Sequence, residues 1–223
     1  MSEPTDQSGP GQWRPSREAV IDLLGLLALG ELLAFERMAV DARLAPDLGR
    51  RAHLSEAAVG EIRNFRLLAD RLTELGVEPA DAMDPFREAF RAFDAKTAPR
   101  DWFEALVKVY VGDAVADDFF RAVAARLDDA DRRLIDQVLA EGTAAEFAAG
   151  EIRAAVEDDP TASGRLSLWA RRLVGEGINR AQAVASTHES LADLIGGDDS
   201  FESVLRVLTR AHQERMRSVG LNN

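Results

Sequence analysis

Four acidic residues that stand among apolar neighbours are the candidates for chemistry in this sequence. Glu31 lies in the stretch LLGLLALGELLAFERMAV, where a helical period of 3.6 residues places apolar side chains on both sides of it along one face. Taking a carboxylate out of water costs several kcal/mol, so a buried acid needs a metal, a proton or a hydrogen-bond donor. Three later stretches repeat this pattern, and the four acids are Glu31, Glu61, Asp113 and Glu141.

One carboxylate from each of four helices is the arrangement used by di-iron and di-manganese bundles. In the full pattern two of the helices carry Glu-x-x-His, because an imidazole one helical turn from a bridging carboxylate caps a metal from the same face. In this sequence Asn64 follows Glu61 and Ala144 follows Glu141 at those positions. The histidines lie at other spacings, at His53, His188 and His212.

Two other interpretations of these acids stay open. In a chain with 30% charged residues, an acid on an apolar stripe is often an ordinary solvated side chain. The inward acid of the third helix is Asp113 or one of two neighbours about one turn later, Asp117 and Asp118.

The elements that must position these acids are long helices with few interior Gly or Pro residues, so the sequence predicts an all-α protein. Ser16 is a predicted N-cap, Gly76 a predicted stop after the second helix, and Asp101 with Glu104 a predicted capping pair for the third. The four predicted helices of a bundle span about 16–43, 47–75, 101–127 and 131–157.

A long connection joins the second and third helices, which predicts a crossover that places these two helices diagonally across the bundle. It spans residues 76–100 and contains a predicted short helix at about 85–93. Two further helices are predicted at about 163–195 and 200–217. We therefore divide the chain into a disordered tail, a four-helix core and a C-terminal helical extension on that core, at residues 1–15, 16–160 and 161–223.

Composition and charge argue against several classes of function. The net charge of −12 repels phosphate backbones and disfavours nonspecific nucleic-acid binding. The absence of cysteine excludes disulfides and thiolate metal sites. The first apolar run contains Glu31 and is too short to predict a membrane span, and no basic segment precedes it as in a signal peptide. We expect a cytoplasmic protein that does not bind membranes.

The sequence resembles ferritin-like di-iron bundles and, more narrowly, the bacterial MiaE-like group related to tRNA hydroxylases that act on isopentenylated adenosine. The resemblance covers about residues 19–190. It rests on GELLAFERMAVDARLAP, EIRNF, GVEPADAMDPF, TAPRDWFEALVKVYVGDAVADDFF, VLAEGTAAEFA and LSLWARRLVGEGINRAQ.

The resemblance implies metal ligands at Glu31, Glu61, Asp113 and Glu141, with the two family imidazole positions at Asn64 and Ala144. The implied cofactor is a pair of iron or manganese ions, or none if the replaced imidazoles abolish binding. The implied activity is an oxygen-dependent hydroxylase or oxidoreductase with a tRNA substrate, which the net charge disfavours. The alternative is a metal-free binding or scaffold protein without catalysis, forming a homodimer through the two C-terminal helices.

Overall fold

The structure, a computed structural model, describes residues 15–140, 143–196 and 198–222, without the side chains of residues 143 and 198–200. Within these ranges the chain forms helices and the turns between them and contains no strand, which confirms the predicted all-α class. The predicted tail at 1–15 lies outside the described residues except for its last residue.

The first two helices form a hairpin with the predicted boundaries. Helix α1 spans Arg17–Asp41 and helix α2 spans Leu48–Glu74, joined by a 3-10 turn at Ala42–Leu44. The Ser16 hydroxyl accepts the Ala19 N–H at 3.1 Å and caps α1 as predicted. The chain leaves α2 at Gly76 with a φ of 74°, a conformation that favours glycine.

The crossover contains more helix than the sequence predicts. Helix α3 spans Pro79–Met83, a 3-10 turn spans Asp84–Phe86, and helix α4 spans Arg87–Lys96. Each of the first two segments carries a proline in its first turn, where the missing N–H costs no helical hydrogen bond. The crossover packs on α1, where Phe86 and Phe90 are buried.

The third bundle segment is one helix with a wide turn in its middle. Helix α5 spans Trp102–Val107, a π-helical turn spans Lys108–Asp113, and helix α6 spans Ala114–Ala124. The π turn was not predicted, although its two valines and glycine are weak helix formers. Asp101 accepts the Glu104 N–H at 2.9 Å as predicted, but the Glu104 carboxylate accepts the N–H of Arg100 at 2.8 Å, one residue before the N-cap.

The prediction of one continuous fourth helix was wrong. Helix α7 spans Asp129–Val138, and helix α8 begins only at Thr143 and ends at Asp158. A continuous helix would use the carbonyls of Val138 and Leu139 for its own hydrogen bonds. Here the amide of Asn64 donates to the Val138 carbonyl at 3.0 Å, and the guanidinium of Arg121 donates to the Leu139 carbonyl.

The C-terminal region contains one more interruption than predicted. Helix α9 spans Pro160–Thr187, helix α10 spans Glu189–Ile195 and helix α11 spans Asp198–Ser218. The predicted helix at 163–195 therefore breaks at His188, which has extended backbone angles. It ends as predicted at Gly196, whose φ of 93° is left-handed. Helix α9 packs on α4, α5 and α8.

Buried apolar residues form two clusters at different levels of the bundle. One cluster contains the N-terminal half of α1, the C-terminal half of α2 and the crossover. The other contains the opposite ends of α1 and α2, together with α5, α8 and α9. In the described ranges, no helix is long and apolar enough to cross a membrane.

We expect Gly25→Ala to lower the free energy of unfolding by about 1–3 kcal/mol, as for other overpacked cores. A Cβ at this position would collide with the backbone carbonyl of Ala82 in α3, so the crossover would have to move away from α1. Urea denaturation measures the change.

The matched control is Gly150→Ala in α8, where an added Cβ meets nothing within 4 Å. This variant should gain stability, by up to about 1 kcal/mol, from improved helix propensity. Equal effects of the two substitutions would show that α3 does not rest on Gly25.

Candidate functional site

A polar segment separates the two apolar clusters along each of the first three bundle helices. It contains Glu31 in α1, Glu61 in α2, and Asp113 at the end of the π turn, followed by Asp117 and Asp118 in α6. We call these five residues the acidic layer. The third helix thus supplies three acids to the layer, including both alternatives to Asp113.

A cavity of about 960 Å³ adjoins the acidic layer, and all five of its residues line the wall. Seven described acids and four arginines line it in total, so carboxyl groups are in excess. The described wall also includes Tyr110, Ala144 and the C-terminal turn of α7. The volume lies at the upper end of the range of small-molecule sites.

Glu31 and Glu61 form a hydrogen-bonded pair of carboxyl groups. Glu31 is 7% exposed. Burial, together with the hydrogen bond to Glu61 and its charge, raises the pKa of Glu31 well above its ordinary value. Burial also raises the pKa of Glu61, although less, because that carboxylate accepts the hydrogen bond from Glu31. The pair therefore keeps a shared proton more readily than two separate carboxyl groups would.

Asn64 stabilises this pair from α2. Its Nδ2 group donates to Glu31 Oε2 at 3.1 Å and to the carbonyl oxygen of Val138 at 3.0 Å. The second bond sets the amide orientation, because a flipped amide would place Oδ1 against a carbonyl oxygen. The side of Asn64 that faces the acids is therefore a donor.

Asp113 is bound by a buried arginine that the sequence analysis did not single out. Arg37 of α1 donates from Nη2 to both carboxylate oxygens, at 2.9 and 2.8 Å. Its side chain is 12% exposed, against 36% for Asp113. Arg37 stands one turn before Asp41 in the largely apolar helix α1. This pair of charges in the sequence could have indicated a buried ion pair.

The two acids of α6 differ in their contacts with arginine. Asp118 receives a hydrogen bond from Arg215 of α11 at 2.8 Å and lies 3.5 Å from Arg121. Asp117 has a weaker contact, 4.0 Å from Arg121. Burial, and next the charge of Asp113, raise the pKa of Asp117 to about 7. Asp117 thus changes charge near neutral pH.

One protein-family model matches most of the chain. The model described as a ferritin-like domain of actinomycetes matches residues 15–198. The chain belongs to this ferritin-like family. No curated protein sequence matches this ferritin-like chain. The narrower MiaE-like resemblance and the two replaced histidine positions stay predictions.

Of the four ligands predicted for the ferritin-like bundle, Glu31 and Glu61 are in contact, and Asp113 lines the same cavity in an ion pair with Arg37. Glu141 lies outside the described residues. Ala144 of α8 lines the cavity and has no donor atom in its side chain. Within the described ranges, no three Asp, Glu or His side chains are grouped closely enough to hold a metal ion.

We expect Arg37→Met to destabilise the ferritin-like bundle by on the order of 2 kcal/mol, because Asp113 would lose its cation within a partly buried site. The value is discounted from that of a fully buried pair, since about a third of Asp113 is exposed. Urea denaturation at pH 7 measures the loss. Arg132→Met is the control, since its pair with Asp129 is exposed and its loss should stay within about 0.5 kcal/mol.

We expect Asp117→Asn to raise the melting temperature, and to raise it more at pH 8 than at pH 5. The folded-state pKa of about 7 lies above the unfolded value of about 3.9, so the folded protein binds this proton more tightly. Stability that depends on Asp117 is therefore present at low pH and falls as the pH rises from about 4 to about 7.

Thermal unfolding of the parent and variant at both pH values tests this pH dependence. Asp136→Asn, at an exposed position of α7, is the control and should shift the melting temperature equally at the two pH values. A pH-independent effect of Asp117→Asn would mean that Asp117 is already ionised at pH 5.

Proposed function

We propose that this ferritin-like protein is a binding protein whose acidic layer takes a small organic cation, such as an alkyl ammonium, in place of two metal ions. The observation that carries the proposal is the ion pair between Arg37 and Asp113. In this pair a protein guanidinium, itself an organic cation, already binds one of the acids that the family resemblance assigns to metal.

The donor set supports an organic cation over a dimetal centre. Both oxygens of Asp113 accept hydrogen bonds from Arg37. The group that Asn64 turns towards Glu31 is an NH₂ group, which cannot coordinate a metal. The position expected for the second imidazole holds Ala144. A dimetal centre therefore does not fit the described residues, and we derive no step through metal ions.

The balance of charge around the cavity supports a cationic ligand. Asp113 and Asp118 have arginine partners, whereas the Glu31–Glu61 pair and Asp117 have raised pKa values and keep protons more readily than ordinary carboxyl groups do. An ammonium group within hydrogen-bonding distance of these acids would favour their ionised forms and replace the protons. The cavity of about 960 Å³ leaves room for the rest of such a ligand.

Binding then follows from charge and burial without a covalent step. The Glu31–Glu61 pair accepts hydrogen bonds from the ammonium group and releases its proton to solvent. Asn64 holds Glu31 in place, and the apolar cluster behind the pair excludes water, which strengthens the attraction. Affinity should therefore increase with pH between about 6 and 8 as the acids lose their protons more readily.

The second candidate is the oxygen-dependent di-iron hydroxylase of the resembling group. The observation that favours it is the contact between Glu31 and Glu61, two residues that the resemblance assigns to metal. In this case iron or manganese would bind the carboxylates of Glu31, Glu61, Asp113 and Glu141.

Thermal unfolding and calorimetric titration with 1,4-diaminobutane test the proposal. We expect saturable binding at pH 8 that raises the melting temperature, while the isosteric neutral probe 1,4-butanediol gives no shift. Fe²⁺ and Mn²⁺ are titrated separately under anaerobic conditions. Binding of about one metal ion or more per chain, without binding of the diamine, would overturn the proposal in favour of the dimetal centre.

Glu31→Gln is the informative variant. Glutamine reproduces the protonated carboxyl group, since its amide can donate to Glu61 and accept from Asn64, so we expect stability equal to or above that of the parent at pH 8. It should weaken binding of the diamine at least tenfold. Glu74→Gln, at the exposed end of α2, is the control and should leave binding unchanged.

A further inference from the structure

A second site, centred on a cationic side chain, lies beside the Arg37–Asp113 pair and shares Asp113 with the wall of the cavity described above. Its central residue is Arg180 of α9, whose guanidinium carbon lies 4.5 Å from the ring centre of Phe90 and 4.6 Å from that of Phe93. These contacts place the cation against aromatic faces. Among the described residues, no carboxylate forms an ion pair with Arg180 at 4.0 Å or less.

The polar part of this site is a small cavity of about 70 Å³. Arg37, Lys108 and Arg180 line it together with Asp94 and Asp113, which leaves one positive charge in excess. Both acids already have partners, because Asp113 binds Arg37 and Asp94 accepts from Lys108 at 3.0 Å. The excess charge is therefore that of Arg180.

Two observations show that cationic side chains lining this cavity are incompletely balanced. Arg37 Nη1 is buried and has no hydrogen-bond partner among the described residues, which is a costly state for a charged donor. Burial lowers the pKa of Arg180 to about 10, because no direct counter-ion offsets its loss of hydration. A bound anion would satisfy both groups.

An apolar groove continues from this cavity, and the two share Phe90, Phe93, Gly112 and Arg180. Arg180 is the only charged or polar side chain among the described residues that line the groove. The remaining wall comes mainly from aliphatic and aromatic side chains of α1, α4, α6, α9, α10 and α11. The groove has a cavity volume of about 70 Å³.

We propose that this site binds a free aliphatic carboxylate of medium chain length. The carboxylate lies against Arg180 and accepts from it, and the alkyl chain follows the apolar groove away from the cavity. A single negative charge matches the single excess positive charge of the cavity. The apolar lining of the groove suits an alkyl chain, which gains free energy when it leaves water.

Calorimetric titration of the full chain with octanoate tests the proposal, with octan-1-ol and octylammonium as neutral and cationic probes of the same length. We expect octanoate to bind at least tenfold more tightly than octan-1-ol and octylammonium not to bind in the groove. Hexanoate should bind roughly tenfold more weakly than octanoate, because it buries two fewer methylene groups. Equal affinities of octanoate and octan-1-ol would overturn the assignment of Arg180.

Arg180→Gln removes the charge and should lower octanoate affinity at least tenfold while leaving octan-1-ol binding unchanged. Arg180→Lys keeps a cation and should retain more of the affinity, so the two variants together separate charge from folding. Unchanged octanoate affinity in a folded Arg180→Gln protein would overturn the proposal.

Gly177→Leu tests the groove, and Gly175→Leu is its matched control in the same helix. An added Cβ meets nothing within 4 Å at either glycine, and leucine favours helix, so both variants should fold. Only Gly177 lines the groove, and a leucine side chain there would fill the space for the alkyl chain. Gly177→Leu should weaken octanoate at least tenfold and Gly175→Leu should not. Equal effects of the two would place the ligand elsewhere.

Discussion

The buried carboxyl group of Glu31 and the partly buried one of Asp113 both need a local partner, because the surrounding helices remove part of their hydration. The protein meets this constraint in two ways. Asp113 has a guanidinium partner in Arg37, and Glu31 keeps a proton that it shares with Glu61. These two partners among the described residues support the binding function proposed above.

The same balance explains the interruption of the fourth bundle segment. Asn64 donates both to Glu31 and to the carbonyl of Val138, the last residue of α7. Arg121, which lies 3.5 Å from Asp118, donates to the next carbonyl, that of Leu139. Asn64 and Arg121 therefore contact the acidic layer and also bind the carbonyl groups at the C-terminal end of α7. The helix ends beside the cavity.

Local signals in the sequence were sufficient for much of the fold. Ser16 and Gly76 mark helix ends through their own side chain or its absence, and the period of apolar residues around Glu31 predicts a buried face. The features that were missed depend on distant partners. Arg37 meets Asp113 across 76 positions of sequence, and the end of α7 depends on a side chain of α2. No local pattern encodes such contacts, so the acids could be predicted but their balance could not.

The Arg37–Asp113 pair also separates two environments of opposite charge. On one side Asp113 lines the large cavity, where carboxyl groups outnumber arginines. On the other side both partners line the small cavity, where Lys108 and Arg180 leave a positive excess. Arg37 attracts the excess negative charge of the large cavity, and Asp113 attracts the excess positive charge of the small cavity, so both cavities stabilise the pair. Removing either partner would leave like charges close to one another. A ligand that changed the charge of one cavity would therefore act on the other through this shared ion pair.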